Sequence, residues 1–332
     1  MSAQIDAVNT AHALPPPACI ESEAAWQASD LATRDWNTPV DAATLAELDR
    51  IAAWIDDHPG AAVESLRADQ FDCPALTRTM AGLKTTLSSG SGFAVLSGLP
   101  FERWDDKTAR AITWLLCNFV ASPVMQKWTG TRVYEVRDTG AALAHGVRRS
   151  LTNLKQDLHT DGPWLPTTAD YMALACVRQA AAGGMSRITS LVAAHNWLHR
   201  THPQLLDRLY AGFWWDRQAE HSPGDRPANF LPLYTWNGDT LRVRYYDDYI
   251  RKGHELMDAP LDVQGADALG AMRDFVEAAE NCFEFRLDRG QIFFLNNHLI
   301  AHGRTSFVDA PSSDRLLLRF WLRPHGGVAF EV

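Results

Sequence analysis

A histidine and a carboxylate two residues apart open the chemistry of this chain. In Leu158-His159-Thr160-Asp161-Gly162, an extended backbone puts His159 and Asp161 on the same side, because alternate side chains of a strand share a face. A second imidazole lies far downstream. There the apolar run Gln291-Ile292-Phe293-Phe294-Leu295 enters a polar corner, Asn296-Asn297-His298-Leu299-Ile300-Ala301-His302-Gly303-Arg304-Thr305. Two neutral imidazoles and one carboxylate make one face of an octahedral metal site and leave the remaining positions open. That donor set suits non-haem Fe(II), which must bind a co-substrate and O2 together. A His-x-Asp pair alone is a weak signal, since about one is expected by chance among 12 histidines. His298, four residues before His302, competes for the same role.

The polar corner is followed, 315 − 302 = 13 residues on, by a segment that alternates Arg315, Leu317, Arg319, Trp321 and Arg323 with Leu316, Leu318, Phe320 and Leu322. The wholly apolar face is core. The face mixing arginine with Leu and Trp is expected to line a cavity, because a buried cation needs an anionic partner. Three independent parts thus fall in order: His-x-Asp, a distant His, then an arginine.

These residues need elements to hold them. Leu45, Leu48, Ile51, Ala52 and Ile55 repeat at helical spacing and predict a helix at about 41–57. Further helices are expected at about 74–88, 105–119, 193–210 and 265–280. Gly90-Ser91-Gly92 opens a short strand, Phe93-Ala94-Val95-Leu96, and 131–136 alternates like another. From there the chain reads mainly as short strands, at about 157–160, 170–178, 186–192, 230–236, 240–246, 283–287, 291–295 and 315–323. Short strands separated by turns predict an antiparallel double-sheet jelly roll. Residues 1–22, with Pro15-Pro16-Pro17, read as a mobile arm.

Composition bounds the function. With 332 residues, 46% hydrophobic, the chain can bury a large core. A formal net charge of −9 argues against nucleic-acid and anionic-membrane partners, which call for a basic surface. Five scattered cysteines without a CxxC read as reduced thiols, and no apolar run reaches membrane-spanning length, so a cytoplasmic location is expected. No glycine-rich phosphate loop of either common kind is present, so nucleotide chemistry has no support.

On these motifs the chain resembles the taurine dioxygenase (TauD/TfdA) and clavaminate synthase-like group of Fe(II)/2-oxoglutarate-dependent oxygenases. The resemblance runs from about Gly92 to about Arg323. It rests on Gly92-Phe93-Ala94-Val95-Leu96-Ser97-Gly98-Leu99-Pro100, His159-Thr160-Asp161-Gly162, Gly183-Gly184-Met185-Ser186-Arg187-Ile188, and Asn296-Asn297-His298 through Arg304-Thr305. It implies a mainly β fold with flanking α: a double-stranded β-helix (jelly roll, cupin-like) core, a helical N-terminal region and a lid-like insert at about 210–282. Residues 23–332 would form a single oxygenase domain. It implies His159, Asp161 and His302 as iron ligands, and Arg315 as partner of the distal carboxylate of 2-oxoglutarate. Ser186 would assist Arg315 where the family usually carries Thr, and Arg319 would touch co-substrate or an acidic group of the substrate. The cofactors implied are Fe(II), 2-oxoglutarate and O2. Where halogenating relatives have a small residue, this chain has Asp161, which favours hydroxylation, desaturation or cyclisation.

Asn153, Lys155, Trp164, Arg244 and Tyr245 are candidates for substrate contact, with surface or core roles as the alternative for each. Phe213-Trp214-Trp215 reads as core packing, and the loop at about 216–229 as a gating segment. The substrate expected is a small molecule bearing a carboxylate, such as an amino acid. Two other classes stay open: a metal-retaining scaffold without turnover, and a cupin-type metalloenzyme, which would need no carboxylate-binding arginine.

Overall fold

The computed structural model describes residues 16, 18–127, 129–142 and 144–324. Most of the arm expected over residues 1–22 lies outside them. Within the described part, Ile20 is tied to Asn196 by both its backbone N (2.7 Å) and its carbonyl (2.9 Å).

Three helices lead the chain: Ala42–Asp57, Pro74–Ser89 and Asp106–Val120. Each start is capped by an acid. Asp41 and Asp105 accept from the amides of Thr44 and Thr108, both at 2.7 Å. The second helix begins at Pro74, and Glu47 of the first helix accepts from its Ala75 and Leu76 amides at 3.1 and 2.7 Å. Those amides have no partner inside their own helix, and the positive end of its dipole favours a carboxylate.

The helices pack against the outer face of a major sheet. Its strand order is Asn37–Pro39, Phe93–Ser97, Ile292–Asn296, Tyr171–Arg178, Leu316–Arg323 and Ser122–Val124, with Tyr134–Val136 also paired to Leu316–Arg323. Opposite lies a four-stranded antiparallel sheet in the order Cys282–Phe285, Ser186–Ser190, Ile300–Arg304, Gln156–His159. Strand alternation divides the core in two. Ala94, Leu96, Ile292, Phe294, Leu316, Leu318, Phe320 and Leu322 face the helices. Phe93, Val95, Phe293, Leu295, Leu317 and Trp321 face the space between the sheets. This is the expected jelly roll, and the two faces of the arginine strand fall as their alternation predicts.

Boundaries differ from the sequence reading in several places, and the strand expected over 230–236 is two, Ala228–Pro232 and Tyr234–Trp236. The helix expected over 193–210 is two, Leu191–Thr201 and Pro203–Leu209, because Pro203 has no amide to continue the first and starts the second. The strand expected over 186–192 stops at Ser190, whose hydroxyl caps the helix by accepting from Ala193 N at 2.9 Å. The strand at 240–246 ends at Val243, and Asp247–Leu256 is a helix. The polar corner contains a strand of its own, Ile300–Arg304. Phe213 and Trp215 are core, on the strand Gly212–Asp216, which pairs with Ala228–Pro232.

Candidate metal centre

The minor sheet brings the two histidines together. His302 is in register with His159 on one side and Ile188 on the other. A bulge then shifts the pairing, so that Arg304 meets Gln156. The bulge leaves no room for a side chain at Gly303, where a Cβ would stand 2.6 Å from the Gln156 carbonyl oxygen. Just past its strand, Asp161 is fixed by Asn297, whose amide oxygen accepts from Asp161 N (2.7 Å) and whose NH2 donates to Asp161 O (3.0 Å). The ligand atoms offered by His159, Asp161 and His302 lie within 4.8 Å of one another, and all three residues are buried.

The donors are prepared for a cation. His159 Nδ1 lies 2.8 Å from the Asp157 carbonyl oxygen. A carbonyl can only accept, so Nδ1 carries the proton and Nε2 presents its lone pair. The Gln156 amide nitrogen stands 3.0 Å from that lone pair and competes for it. His302 Nδ1 is buried without a partner, and burial pushes the ring down to about 3, keeping it neutral. Burial opposes charge on Asp161 too. There the Arg319 guanidinium and the hydrogen-bond contact with His159 outweigh it and hold the carboxyl well below the usual range. Asp161 Oδ1 accepts from Arg319 Nη1 at 3.1 Å and Oδ2 from Trp321 Nε1 at 2.7 Å. A neutral, two-imidazole, one-carboxylate set fits a divalent iron.

Two cavities open beside this centre. Ser186, His302, Arg304, Arg315, Arg319 and Gln156 line the first, with Phe293 and Leu174. Arg315 is 2% exposed, its Nη1 has no partner, and its Nε reaches Gln179 Oε1 at 3.3 Å. Burial lowers it to about 10, and burial together with Arg315 lowers Arg304 to about 9. Arg304 donates to the Leu154, Arg149 and Thr152 carbonyls, and its Nε is unpartnered. Two buried guanidinium groups without a carboxylate contact call for an anion between them.

The second cavity, on the other side of Arg319, is walled by Arg148, Arg149, Trp164, Tyr246, Tyr249 and Trp321 around His159 and Asp161. Of the residues expected to contact substrate, Trp164 and Arg319 line it; Asn153, Lys155, Arg244 and Tyr245 do not. Lys155 turns outward to Asp157 (3.0 Å) and Glu277 (3.3 Å), and Asn153 is exposed. Arg244 instead braces the loop after Asp161, donating to the Pro163 (3.1 Å), Leu165 and Pro166 (2.8 Å) carbonyls. Tyr245 is buried and its backbone pairs with Thr160. Sequence reasoning missed Gln156, Arg148, Arg149, Tyr246 and Tyr249. Only the composition of Arg148-Arg149 and Tyr245-Tyr246 hinted at them, since 137–155 has no periodicity.

A family profile described as "Taurine catabolism dioxygenase TauD, TfdA family" matches residues 57–321, most of the chain. The chain belongs to this family of dioxygenases. As a TauD/TfdA dioxygenase it is an oxidoreductase whose family cofactors are Fe(II) and 2-oxoglutarate, with O2. It is 25% identical to "FR-33289 synthase" of Streptomyces rubellomurinus over 94% of this chain and 93% of that protein. It is 28% identical to "Uridine-5'-phosphate dioxygenase" of a Streptomyces species over 51% of this chain and 61% of that protein. Among solved structures, it resembles asparagine oxygenase bound to Fe(II), 2S,3S-3-hydroxyasparagine and succinate, with TM-score 0.69 and 16% identity over 86% of this chain and 93% of that one. The non-heme iron oxygenase OrfP, in complex with Fe and alpha-ketoglutaric acid, matches with TM-score 0.64 and 15% identity over 86% and 93%. These likenesses support the jelly-roll fold. Among the described residues no helix is long and apolar enough to cross a membrane.

Proposed function

We propose that this TauD/TfdA dioxygenase hydroxylates an unactivated C–H bond of a small carboxylate-bearing metabolite, an amino acid or amino-acid derivative, with release of succinate and CO2. His159, Asp161 and His302 would hold Fe(II). Arg315, assisted by Ser186, would hold the distal carboxylate of 2-oxoglutarate, and Arg319 would serve the boundary between co-substrate and substrate. Iron and 2-oxoglutarate, with O2, supply the oxidising power when bound; this chain's own residues place the partners and keep water out. Arg319 and Trp321 fix both oxygens of Asp161, and Asp157 fixes the His159 ring. Trp164, Tyr246 and Tyr249 supply apolar walls that exclude bulk water.

The observation that carries this reading is the convergence of three potential metal donors within 4.8 Å beside a cavity whose wall holds the buried Arg315, its Nη1 left without a protein partner. That arginine weighs against the cupin-type alternative. The substrate class is supported by the ligands of the structural neighbours, hydroxyasparagine and hydroxyarginine, and by the phosphate in one relative's name. All carry an acidic group. Asp161 fills the position where a halide would sit, so hydroxylation is preferred to halogenation.

The test needs no substrate. Metal-free protein mixed anaerobically with Fe(II) and 2-oxoglutarate is expected to develop the weak visible charge-transfer band of the chelate. Iron binding without that band would defeat the co-substrate assignment.

A further inference from the structure

The cavity walled by Arg148, Arg149, Arg319 and Trp164 is rich in donors and poor in acceptors. Arg319 Nη2 and Trp164 Nε1 are buried without partners, in residues 6% and 4% exposed. Asp161 is the sole carboxylate among the described lining residues, and Arg319 and Trp321 already occupy both its oxygens. A ligand's oxyanion would find several donors.

Arg148 is the donor best placed for it. Its guanidinium lies over the rings of Tyr134 (5.5 Å) and Trp321 (5.9 Å) and donates to the Gln126 carbonyl at 2.9 Å. Its remaining partner is Glu220, from the turn at 217–227. Arg148 Nε (3.0 Å) and Nη2 both meet the same oxygen, Oε1. The pair is thus not the two-on-two fork that guanidinium forms best with carboxylate, phosphate or phosphonate. The turn that delivers Glu220 is itself unfavourable: Gln218 and Ala219 have φ of 54° and 58°, the left-handed region that such residues seldom enter. Buried Asp216 holds the turn by accepting from Gln218 N at 2.8 Å and contacting His145 at 3.2 Å.

We propose that Arg148 is the receptor for an oxyanionic group of the substrate, and that Glu220 occupies this receptor in the free enzyme until the substrate's oxyanion replaces it. The proposal rests on the oxygenase reading above and narrows its substrate class. The substrate is an acid, whether carboxylate, phosphonate or phosphate, bound through that group. Because Trp321 touches both Arg148 and Asp161, filling the receptor also reaches the metal's carboxylate.

The experiment uses the anaerobic Fe(II)/2-oxoglutarate-loaded enzyme with methylphosphonate, acetate or methylammonium as probe, reading affinity by calorimetry and hydrogen exchange across 217–227. Methylphosphonate or acetate is expected to bind and to speed exchange in the turn, and methylammonium to do neither; the tighter of the two anions identifies the acid. Glu220→Gln is expected to bind the preferred anion at least tenfold more tightly, with the turn exchanging fast before any probe is added. Arg148→Gln is expected to lose binding. The proposal is overturned if methylammonium binds as well as the anions, if an anion binds without changing exchange at 217–227, or if Glu220→Gln binds no more tightly. The Glu220 variant decides the matter even should Arg148→Gln fail to fold. The chelate band in the same samples reports separately on the oxygenase reading. If it is missing, probe binding by the metal-free protein still supports or overturns the Arg148 receptor.

Discussion

His298 and His302 lie four residues apart, both 8% exposed, in opposite electrostatic situations. His298 belongs to a closed network. Its Nε2 is 3.2 Å from Asp170 Oδ1 and 3.1 Å from Arg242 Nη1, and Asp170 also meets Arg323 at 3.6 Å. His302 belongs to an open one, with an unpartnered Nδ1, two further ligand donors at its side, and the unsatisfied Arg315 lining the same cavity. Both clusters mix histidine, aspartate and arginine. The difference is completeness: charges that neutralise one another stabilise a structure, whereas groups left without partners await a ligand.

That contrast can be broken most severely at the open cluster. Asp161→Ala or His159→Ala is expected to abolish the Fe(II)/2-oxoglutarate band and succinate release. Arg315→Gln should weaken 2-oxoglutarate about 100-fold, the scale of a buried charge pair losing one member, while Fe(II) affinity stays within about twofold. Titrating the band with 2-oxoglutarate, then iron alone by calorimetry, separates the two. At the closed cluster, Asp170→Asn should cost about 2 kcal/mol in urea unfolding and leave the chelate titration unmoved. A matching loss of iron affinity would mean that the two clusters are one unit. Trp321→Phe removes the hydrogen bond to Asp161 Oδ2 and should weaken Fe(II) about tenfold.

His195 sharpens the comparison from a third direction. It too is buried with an unpartnered Nδ1, but its neighbours are Tyr210 (2.9 Å) and Tyr234, with no cluster of ligand donors. Burial depresses it to about 4. The unfolded chain therefore takes up a proton near its ordinary value of 6.5 while the folded one does not, and stability falls as pH drops from 6.5 toward 4. Between pH 7.5 and 5.5 this amounts to about 1 kcal/mol. His195→Gln should reduce that loss in urea denaturation across the pH range.

The fold was legible where burial imposes a period. Leu48, Ile51 and Ile55 mark one helix face, and the alternation over 315–323 is enough to assign both faces of its strand. The proposed iron triad stood out because its residue types are chemically narrow, and the fold brings its three side chains together. The rest depended on partners distant in the chain. Ile300–Arg304 has only Ile300 and Ala301 as an apolar signal, and it is a strand because two neighbours supply its hydrogen bonds. Asp247–Leu256 carries Asp247, Asp248, Arg251, Lys252 and Glu255 over ten residues, and only Ile250 with flanking aromatics hints at its buried side. Lys155 sat in the right stretch and faced the wrong way, since adjacent strand residues point to opposite sides. Gln156, its neighbour, takes the place beside the metal donors.

Asn297 has a further consequence. One amide joins the Asp161 backbone, on one segment, to the turn that precedes His302, on another, and also donates to Ala169 O at 3.1 Å. Protein–protein hydrogen bonds thus brace the proposed ligand set from both segments. On the reading proposed above, iron would be a guest in this frame rather than a staple that folds it. The protein should survive a chelator with its tertiary structure intact, losing only the mass-action increment of the bound ion, and should accept iron again without refolding.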